Sequence, residues 1–225
     1  MESLTELLAD GIENEQFLSS IGQLKHVRRL SLRGCISAPP SCSLISAGVS
    51  NLKRWVSTSF TQWRLVKHLK ISNGGLSDCE TNCVDFSGMF SLEELDLSEN
   101  KFSSLPSGIG FLPKLSHLVV NTCEYLVSIP DLPSSLCFLD ASDCKSLERV
   151  RIPILAKEEL YINIYKSLLL EEIQGIEGLN NSFWNVSVER RSHSPKKLQK
   201  RVFEVLFLSV SLAQEETHII GTYID

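Results

Sequence analysis

The sequence predicts an α/β fold: a right-handed solenoid with a concave parallel β-sheet and a mostly irregular convex side. Two observations support this prediction. The pattern L-x-x-L-x-L-x-x-N is complete from Leu92 to Asn100, and its Leu95 and Leu97 alternate with polar residues, as in a short strand with one buried face. The same pattern then recurs along the chain, which is typical of proteins in which each coil buries its face on the next coil.

Seven copies of the pattern align by their fourth position, which is occupied by Leu7, Leu30, Leu69, Leu95, Leu118, Leu139 and Leu160. Five of the six steps between these leucines are 23, 26, 23, 21 and 21 residues long. Leucine-rich repeats are about 20 to 29 residues long. The remaining step, from Leu30 to Leu69, is 39 residues, so it holds a degenerate repeat or an irregular insertion at 36–62. An ordinary α/β domain with leucine-rich strands is the alternative.

The repeats define the expected domain organisation. Residues 1–178 form the array of about seven repeats, and residues 179–225 form a C-terminal region in which 182–188 could be a final strand. The chain begins inside a repeat with no polar capping unit, so we expect a fragment of a longer protein or an abbreviated, truncated product. Trp55, within the insertion, and Trp63, directly after it, more often fill a gap in a core than bind a ligand.

The end of each strand carries a characteristic residue. Asn100 lies where the chain leaves its strand, and its amide is expected to bond backbone groups of the turn that neighbouring coils share. Cys35, Cys123 and Cys144 occupy this position in other repeats, where a small, partly apolar side chain fits. We name it the ladder position.

Proline follows apolar residues on the outer side of two repeats. The pairs are Leu105-Pro106 and Ile129-Pro130. Because proline lacks a backbone donor, we expect these outer segments to be extended rather than strand-paired, and the convex side to be irregular rather than helical.

The composition excludes several classes of function. The 225 residues carry a net charge of −5, which argues against a general nucleic-acid surface. No secretory signal begins the chain, and the apolar stretch at 202–213 is shorter than the roughly 20 residues that span a bilayer. The seven cysteines cannot all pair with one another and are expected to be reduced thiols in an intracellular compartment. A cytoplasmic protein follows from these features.

The basic run at 190–201 holds six Lys and Arg residues and no acid. Such a run is usually a solvated linker. A nuclear-import or phosphate-binding role is the less common alternative, and it would add a nuclear location to the cytoplasmic one.

Motifs of catalysis are absent from the sequence. There is no phosphate loop, no nucleophile elbow and no H-E-x-x-H zinc motif. Cys79 and Cys83 lie four residues apart, but no second pair of ligands completes a zinc site. We therefore expect no enzyme, no catalytic residue, no cofactor and no metal; turnover of a nucleotide would revive the enzyme alternative.

The concave face is the remaining place for a function. The third, fifth and seventh positions of each repeat point away from the core, with basic residues in the first half of the array and mostly acidic residues in the second. We hypothesise a polarised groove that selects a protein partner by charge complementarity, with Phe138 and Tyr161 as aromatic anchors. Solvation alone is the equally weighted alternative. The candidate partner-binding residues are Arg29, Arg33, His68, Lys70, Glu94, Asp96, His117, Phe138, Asp140, Glu159 and Tyr161.

Several runs resemble the C-terminal repeats of plant intracellular immune receptors, of which tobacco-mosaic-virus resistance proteins are the familiar members. The runs are L-S-L-R-G-C at 30–35, S-L-E-E-L-D-L-S at 91–98, S-I-P-D-L-P-S-S-L at 128–136 and L-D-A-S-D-C-K-S-L-E at 139–148. Such receptors join a Toll-like signalling domain, a nucleotide-binding switch domain and a repeat array. The resemblance covers roughly residues 1–201, and the segment from about Leu206 departs from it.

The resemblance implies a recognition module that binds a pathogen effector or a guarded host protein. In a complete receptor it would also hold the switch domain closed. This chain lacks the signalling and nucleotide-binding domains, so NAD cleavage and ATP binding are not carried over. A stand-alone adaptor or decoy is the alternative. The expected partner is in either case a protein, and not a small molecule, a membrane or a nucleic acid.

Overall fold

A computed structural model describes residues 4–12, 17, 20–21, 23–34, 63–78, 85–152, 160–167, 169–170, 172–174 and 184–187. Short strands dominate this part of the chain. They are β1 (Glu6–Leu8), β2 (Arg29–Ser31), β3 (His68–Lys70), β4 (Glu94–Asp96), β5 (His117–Val119), β6 (Ser128–Ile129), β7 (Phe138–Asp140), β8 (Arg149–Arg151), β9 (Leu160–Asn163), β10 (Glu172–Gln174) and β11 (Trp184–Ser187). One 3-10 helix, Ile109–Phe111, lies among them.

The main sheet contains eight parallel strands among the described residues, in the order β1-β2-β3-β4-β5-β7-β9-β11. The fourth-position leucines lie opposite one another from strand to strand: Leu7 pairs with Leu30, Leu69 with Leu95, and Leu118 with Leu139. The strands β2 and β3 also pair in register, Leu30 with Leu69, in spite of the 39-residue step between them. The structure thus confirms a leucine-rich repeat solenoid, in which each pattern supplies one strand of the sheet.

The core is a single column of apolar side chains inside the coils. The fourth and sixth positions point inward, as Leu95 and Leu97 do, and both are buried. Burying a leucine side chain contributes roughly 1.5 to 3 kcal/mol. The strands are only two to four residues long, so we expect most of the folding free energy to come from this column. Trp63 is buried in this core and its indole N–H donates to the carbonyl of Ile21 at 3.3 Å. This confirms its expected role, whereas Trp55 lies outside the described residues.

The chain leaves every described coil of the main sheet from β1 to β9 through one residue with positive φ. These residues directly precede the ladder position, and their φ angles lie between 48° and 73°. Left-handed backbone is rare outside glycine, asparagine and aspartate, so its recurrence marks a turn that each coil repeats. The residues are Gly11, Gly34, Asn73, Glu99, Thr122, Asp143 and Lys166.

At the ladder position, Asn100 joins its coil to the preceding one. The Asn100 amide group donates to the carbonyls of Ile71 and Leu97, both at 2.8 Å. Its carbonyl oxygen accepts from the backbone N–H groups of Gly74 at 3.1 Å and Leu76 at 3.0 Å. Buried backbone groups that would otherwise lack partners are thereby satisfied.

Cysteine and serine take over this role further along the array. The Cys123 thiol donates to the carbonyl of Leu97 at 3.3 Å, and the Cys144 thiol to that of Val120 at 3.1 Å. These contacts confirm the ladder assignment for both cysteines, neither of which is in a disulfide. Cys35, Cys79 and Cys83 lie outside the described residues.

The last predicted repeat has a different register from the expected one. Leu139 pairs with Ile162 rather than with Leu160, so the last step is 23 residues and not 21. Ser167 then occupies the ladder position, and its hydroxyl donates to the carbonyl of Ala141 at 2.7 Å. Since a shift of two residues keeps every side chain on the same face, Tyr161 still points outward.

The convex side carries a small second sheet, which contradicts the expected lack of strand pairing. Its order is β10-β8-β6, and Ile129 pairs with Val150. Pro130 ends β6 directly after Ile129 but does not prevent pairing, because the residues before it keep their own donors and acceptors. Elsewhere this side is mostly irregular among the described residues, as expected.

The main sheet continues past residue 178, where the array was expected to end. β11 pairs with β9, with Trp184 opposite Leu160, so the expected final strand is present. The boundary at 178, the insertion at 36–62 and the segment from 188 onward lie outside the described residues. Within the described part of the chain, no helix is long and apolar enough to cross a membrane.

Candidate protein-binding face

The concave face is built from two rows of outward side chains that run across the strands. The third-position row consists of Glu6, Arg29, His68, Glu94, His117, Phe138 and Tyr161. The fifth-position row consists of Leu8, Ser31, Lys70, Asp96, Val119, Asp140 and Asn163. Neighbouring strands lie about 4.8 Å apart, so consecutive members of a row are neighbours on the face.

Ion pairs connect the basic and acidic strands of this face. The Lys70 Nζ lies 2.8 Å from Asp96 Oδ2 across the boundary between β3 and β4. Two strands earlier in the sheet, between β1 and β2, an Arg29 guanidinium nitrogen lies 3.7 Å from Glu6 Oε1. The charges that the sequence separates into two halves are therefore largely compensated by their neighbours, and exposed pairs of this kind contribute about 0 to 1 kcal/mol each.

Arg33 makes a longer connection. It follows β2, and its guanidinium lies 3.2 Å from Glu99 Oε1, which belongs to the coil of β4. The pair therefore spans the intervening coil of β3. Glu99 was not among the expected outward residues, because it lies at the positive-φ position after its strand rather than on the strand.

His68 and Glu94 form a close contact between β3 and β4. Nδ1 of His68 lies 2.7 Å from Oε2 of Glu94, but the nitrogen has no hydrogen-bond partner with suitable geometry. The contact is therefore attractive through charge when the imidazole is protonated, rather than through an aligned hydrogen bond.

Asp96 is held as a carboxylate by its surroundings. Burial alone would raise its pKa, but hydrogen bonds from Lys70 and from the Ser98 hydroxyl and backbone N–H outweigh burial and lower the pKa. Opposing contributions of this kind are expected where a half-buried acid receives several donors. Asp96 is thus fixed in charge and orientation on the face.

Three rings stack along the third-position row. His117 and Phe138 have centroids 5.7 Å apart, and Phe138 and Tyr161 have centroids 5.3 Å apart with planes only 6° from parallel. Tyr161 is 37% exposed. Exposed aromatic side chains with little rotational freedom are typical of the energetic centres of protein interfaces, so this aromatic row gives the face a rigid apolar ridge.

Asp140 lies next to the aromatic row. Its Oδ1 accepts hydrogen bonds from the Ser142 backbone N–H at 3.0 Å and from the Asn163 amide at 3.1 Å. No cation pairs with Asp140 among the described residues. Unlike Asp96, this carboxylate is therefore oriented but not neutralised.

Ten of the eleven predicted site residues lie in the described part of the chain. Nine of the ten belong to the two rows. Eight of these nine, from Arg29 to Asp140, lie on strands that pair as the leucine pattern predicts. Tyr161 lies in the third-position row because the register of β9 differs from the expected one. Arg33 lies just after β2. Glu159 is outside the described residues, and Tyr161 rather than Glu159 lies opposite Phe138. Among the described side chains, no three His, Cys, Asp or Glu are grouped to hold a metal ion.

Comparison with known proteins places this chain near plant proteins, although no protein-family model matches it. It is 27% identical over 164 residues to the disease resistance protein RPS4B of Arabidopsis thaliana, which covers 68% of the chain and 13% of that protein. It is 43% identical over 65 residues to the disease resistance protein RPS4 of Arabidopsis thaliana, which covers 28% of the chain and 5% of that protein.

A third relative comes from another plant. The chain is 27% identical over 125 residues to the TMV resistance protein N of Nicotiana glutinosa, an alignment that covers 49% of the chain and 10% of that protein. The chain thus spans 13% or less of the length of these three relatives. It is a leucine-rich repeat solenoid that is similar to one segment of the disease resistance proteins of plants, as the resemblance of its sequence runs implied.

Proposed function

We propose that the chain is a non-catalytic protein-recognition module of a plant innate immune receptor, and that it binds a pathogen effector or a guarded host protein. The observation that carries the proposal is the concave face, on which seven consecutive described strands present side chains in register. We expect binding by such a face to require no movement of the backbone, because the core column and the ladder contacts of Asn100, Cys123, Cys144 and Ser167 hold the coils together. The disease resistance relatives supply the biological setting.

The two parts of the face would contribute differently to binding. The aromatic row is rigid and partly exposed, so covering it removes apolar surface from water at a low cost in side-chain entropy. The ion-paired strands β1 to β4 would fix the orientation of the partner and speed its association more than they strengthen the complex. A partner with an apolar ridge between charged groups fits this division.

A matched pair of double variants tests the proposal. Arg29→Glu with Arg33→Glu reverses two charges on the concave face, whereas Arg149→Glu with Arg151→Glu reverses two charges on the convex side. The four arginine side chains have similar exposure, between 51% and 56%, and each has an acidic neighbour. The two double variants therefore make the same change in charge on opposite sides of the solenoid.

The measurement is proximity labelling in leaf tissue that expresses the tagged chain, with and without pathogen challenge. We expect the concave variant to lose labelling of the specific partners at least fivefold and the convex variant to retain it. Equal labelling by both variants and the unchanged chain would contradict recognition through the concave face.

The proposal includes a contribution to autoinhibition in a full-length receptor. Sequencing the native transcript across Met1 separates this from a stand-alone adaptor or decoy. If the reading frame continues upstream into a nucleotide-binding domain, deleting the repeat array from that receptor should cause cell death in leaves without a pathogen. A stop codon directly upstream of Met1 would favour the adaptor and overturn the autoinhibitory role.

A further inference from the structure

His117 can present an acceptor to the concave face. The Ser116 hydroxyl lies 3.0 Å from the carbonyl of Glu93 and 2.9 Å from His117 Nδ1. When the hydroxyl donates its one proton to Glu93, its oxygen accepts from Nδ1. Nε2 is the acceptor of the imidazole in this tautomer.

Asp140 supplies a second acceptor diagonally across from His117. His117 lies opposite Phe138, and Asp140 follows Phe138 by two residues on the same face. Diagonal neighbours on adjacent strands are about 7 to 8 Å apart at their Cβ atoms. Oδ1 of Asp140 is occupied by Ser142 and Asn163, whereas Oδ2 accepts no hydrogen bond from the described residues.

The space between these acceptors has an apolar floor. Phe138 lies diagonally across from Val119 on the adjacent strand, and Val119 pairs with Asp140. We name the four residues His117, Val119, Phe138 and Asp140 the concave quartet. With Nε2 of His117 as an acceptor, both polar members accept hydrogen bonds, so the quartet is complementary to a group with several N–H donors and an apolar stem.

The charges around the quartet also favour a cation. Glu94 lies opposite His117 and Asp96 lies opposite Val119. Within the two described rows, Lys70 on β3 is the first lysine or arginine reached from the quartet in strand order, and Asp96 already engages it; His68 adds a charge only when protonated. With Asp140 unpaired, the quartet and its neighbours carry an excess of negative charge.

We propose that the concave quartet binds an arginine side chain of the partner protein. The guanidinium would donate to Asp140 Oδ2 and His117 Nε2, and its methylene stem would pack on Val119 and Phe138. A planar group with five donors spans two separated acceptors, whereas the ammonium of lysine is a compact point charge. This inference rests on the proposed function, because it names the partner chemistry of the same concave face.

The test uses the full 225-residue chain and three short peptides. Each peptide has the form acetyl-Gly-Gly-X-Gly-Gly-amide, with arginine, citrulline or lysine as X. Citrulline keeps the shape of arginine but lacks its charge and one of its donor groups. Binding is followed by NMR through the ring protons of His117 and Phe138. We expect saturable shifts with the arginine peptide and at least tenfold weaker binding of the other two.

Variants assign the binding to the quartet. Asp140→Asn is close in size and should weaken binding of the arginine peptide at least fivefold. Asp131→Asn removes the same charge on the convex side, where Asp131 contacts Arg151, and should leave binding unchanged. His117→Phe preserves a ring in the row but removes the acceptor, so it provides a second test if Asp140→Asn does not fold.

Three results would overturn the inference: no shift with the arginine peptide, equal binding of arginine and citrulline, or equal binding of arginine and lysine. None of them bears on the labelling lost by Arg29→Glu with Arg33→Glu, which contact other parts of the face. The recognition proposal and the arginine site can therefore fail separately.

Discussion

Phe138 and Tyr161 stack on each other with ring planes 6° from parallel and centroids 5.3 Å apart, although 22 residues separate them in the chain. The spacing of leucines had placed Glu159 opposite Phe138 instead. The ring contact therefore depends on the register of β9, and it reports on that register in solution.

We expect the two rings to be energetically coupled. In a double-mutant cycle with Phe138→Leu and Tyr161→Leu, the coupling free energy should be about 0.5 to 1.5 kcal/mol, the value of an aromatic pair beyond its buried area. Urea unfolding of the four proteins gives this energy. Phe111→Leu is the control, because Phe111 is 82% exposed and should change stability little. Additive effects at 138 and 161 would mean that the rings do not stack.

Replacing Asn100 should be among the most destabilising polar substitutions in the array. Asn100→Ala removes the side-chain partner of the Gly74 and Leu76 N–H groups and of the Ile71 carbonyl, while the Leu97 carbonyl keeps the Cys123 thiol; this should lower the free energy of unfolding by about 2 to 5 kcal/mol. Asn100→Cys should cost less, since Cys123 and Cys144 donate to a carbonyl from the same position. Asn121, two residues before the ladder position of the next repeat, is half-buried. Asn121→Ala, measured in the same urea titration, should cost much less; an equal loss there would contradict a special role of the ladder position.

Stability should decrease at alkaline pH because of the buried ladder thiols. Burial raises the pKa of the Cys123 and Cys144 thiols from 9.0 to about 12. A group whose pKa is higher in the folded state stabilises the fold below its unfolded pKa and loses that contribution as pH rises. The free energy of unfolding should therefore fall from pH 9 towards pH 12.

The thiol contribution is isolated by substitution. Cys123→Ser with Cys144→Ser removes both thiols while keeping hydroxyl donors like that of Ser167, so the double variant should lose less stability between pH 9 and pH 11. Circular dichroism during urea titration at each pH provides the measurement. Parallel curves for the double variant and the unchanged chain would show that the alkaline loss comes from other groups.

The acid side of the stability profile should depend on Asp96. Because the pKa of Asp96 is lower in the fold than its ordinary value of about 4, its carboxylate stabilises the fold above that value. This contribution is lost as pH falls through the folded pKa. Asp96→Asn should flatten the profile below pH 4, and Lys70→Met should weaken the same dependence because it removes a hydrogen bond to the carboxylate. Unchanged profiles for both variants would contradict the assignment.

The sequence predicts the register of six strands because a leucine pattern with an inward face allows few alternatives. Leu95, Leu97 and Asn100 specify a strand, its buried side and the residue that ends it, and the copies align with them. The pattern leaves the register of β9 ambiguous. Leu160 and Ile162 both point inward, so the alternation alone cannot distinguish two frames that differ by two residues. The signal that could decide is Ser167, a small donor at the ladder position.

The second sheet was missed for another reason. Pro130 lacks a backbone donor, but this only ends β6 after Ile129 and does not exclude pairing.

For the candidate site, the pattern predicts which residues point outward, but it does not predict their ion pairs. Arg33 reaches Glu99 across a complete coil, and no spacing rule in the sequence encodes how far a guanidinium extends over a neighbouring turn.

The in-register pairing of β2 and β3 has a consequence for how such arrays can be altered. Gly34 and Trp63, which flank the segment from 35 to 62, belong to these two adjacent coils: the Gly34 N–H donates to the carbonyl of Ser72, and Trp63 precedes β3 in its coil. The two strands pair in register in spite of the 39-residue step between their leucines, and the entropy of closing a longer loop grows only slowly with its length. This junction is where foreign sequence, such as an epitope or a fluorescent reporter, could be grafted while the remaining coils keep their stacking.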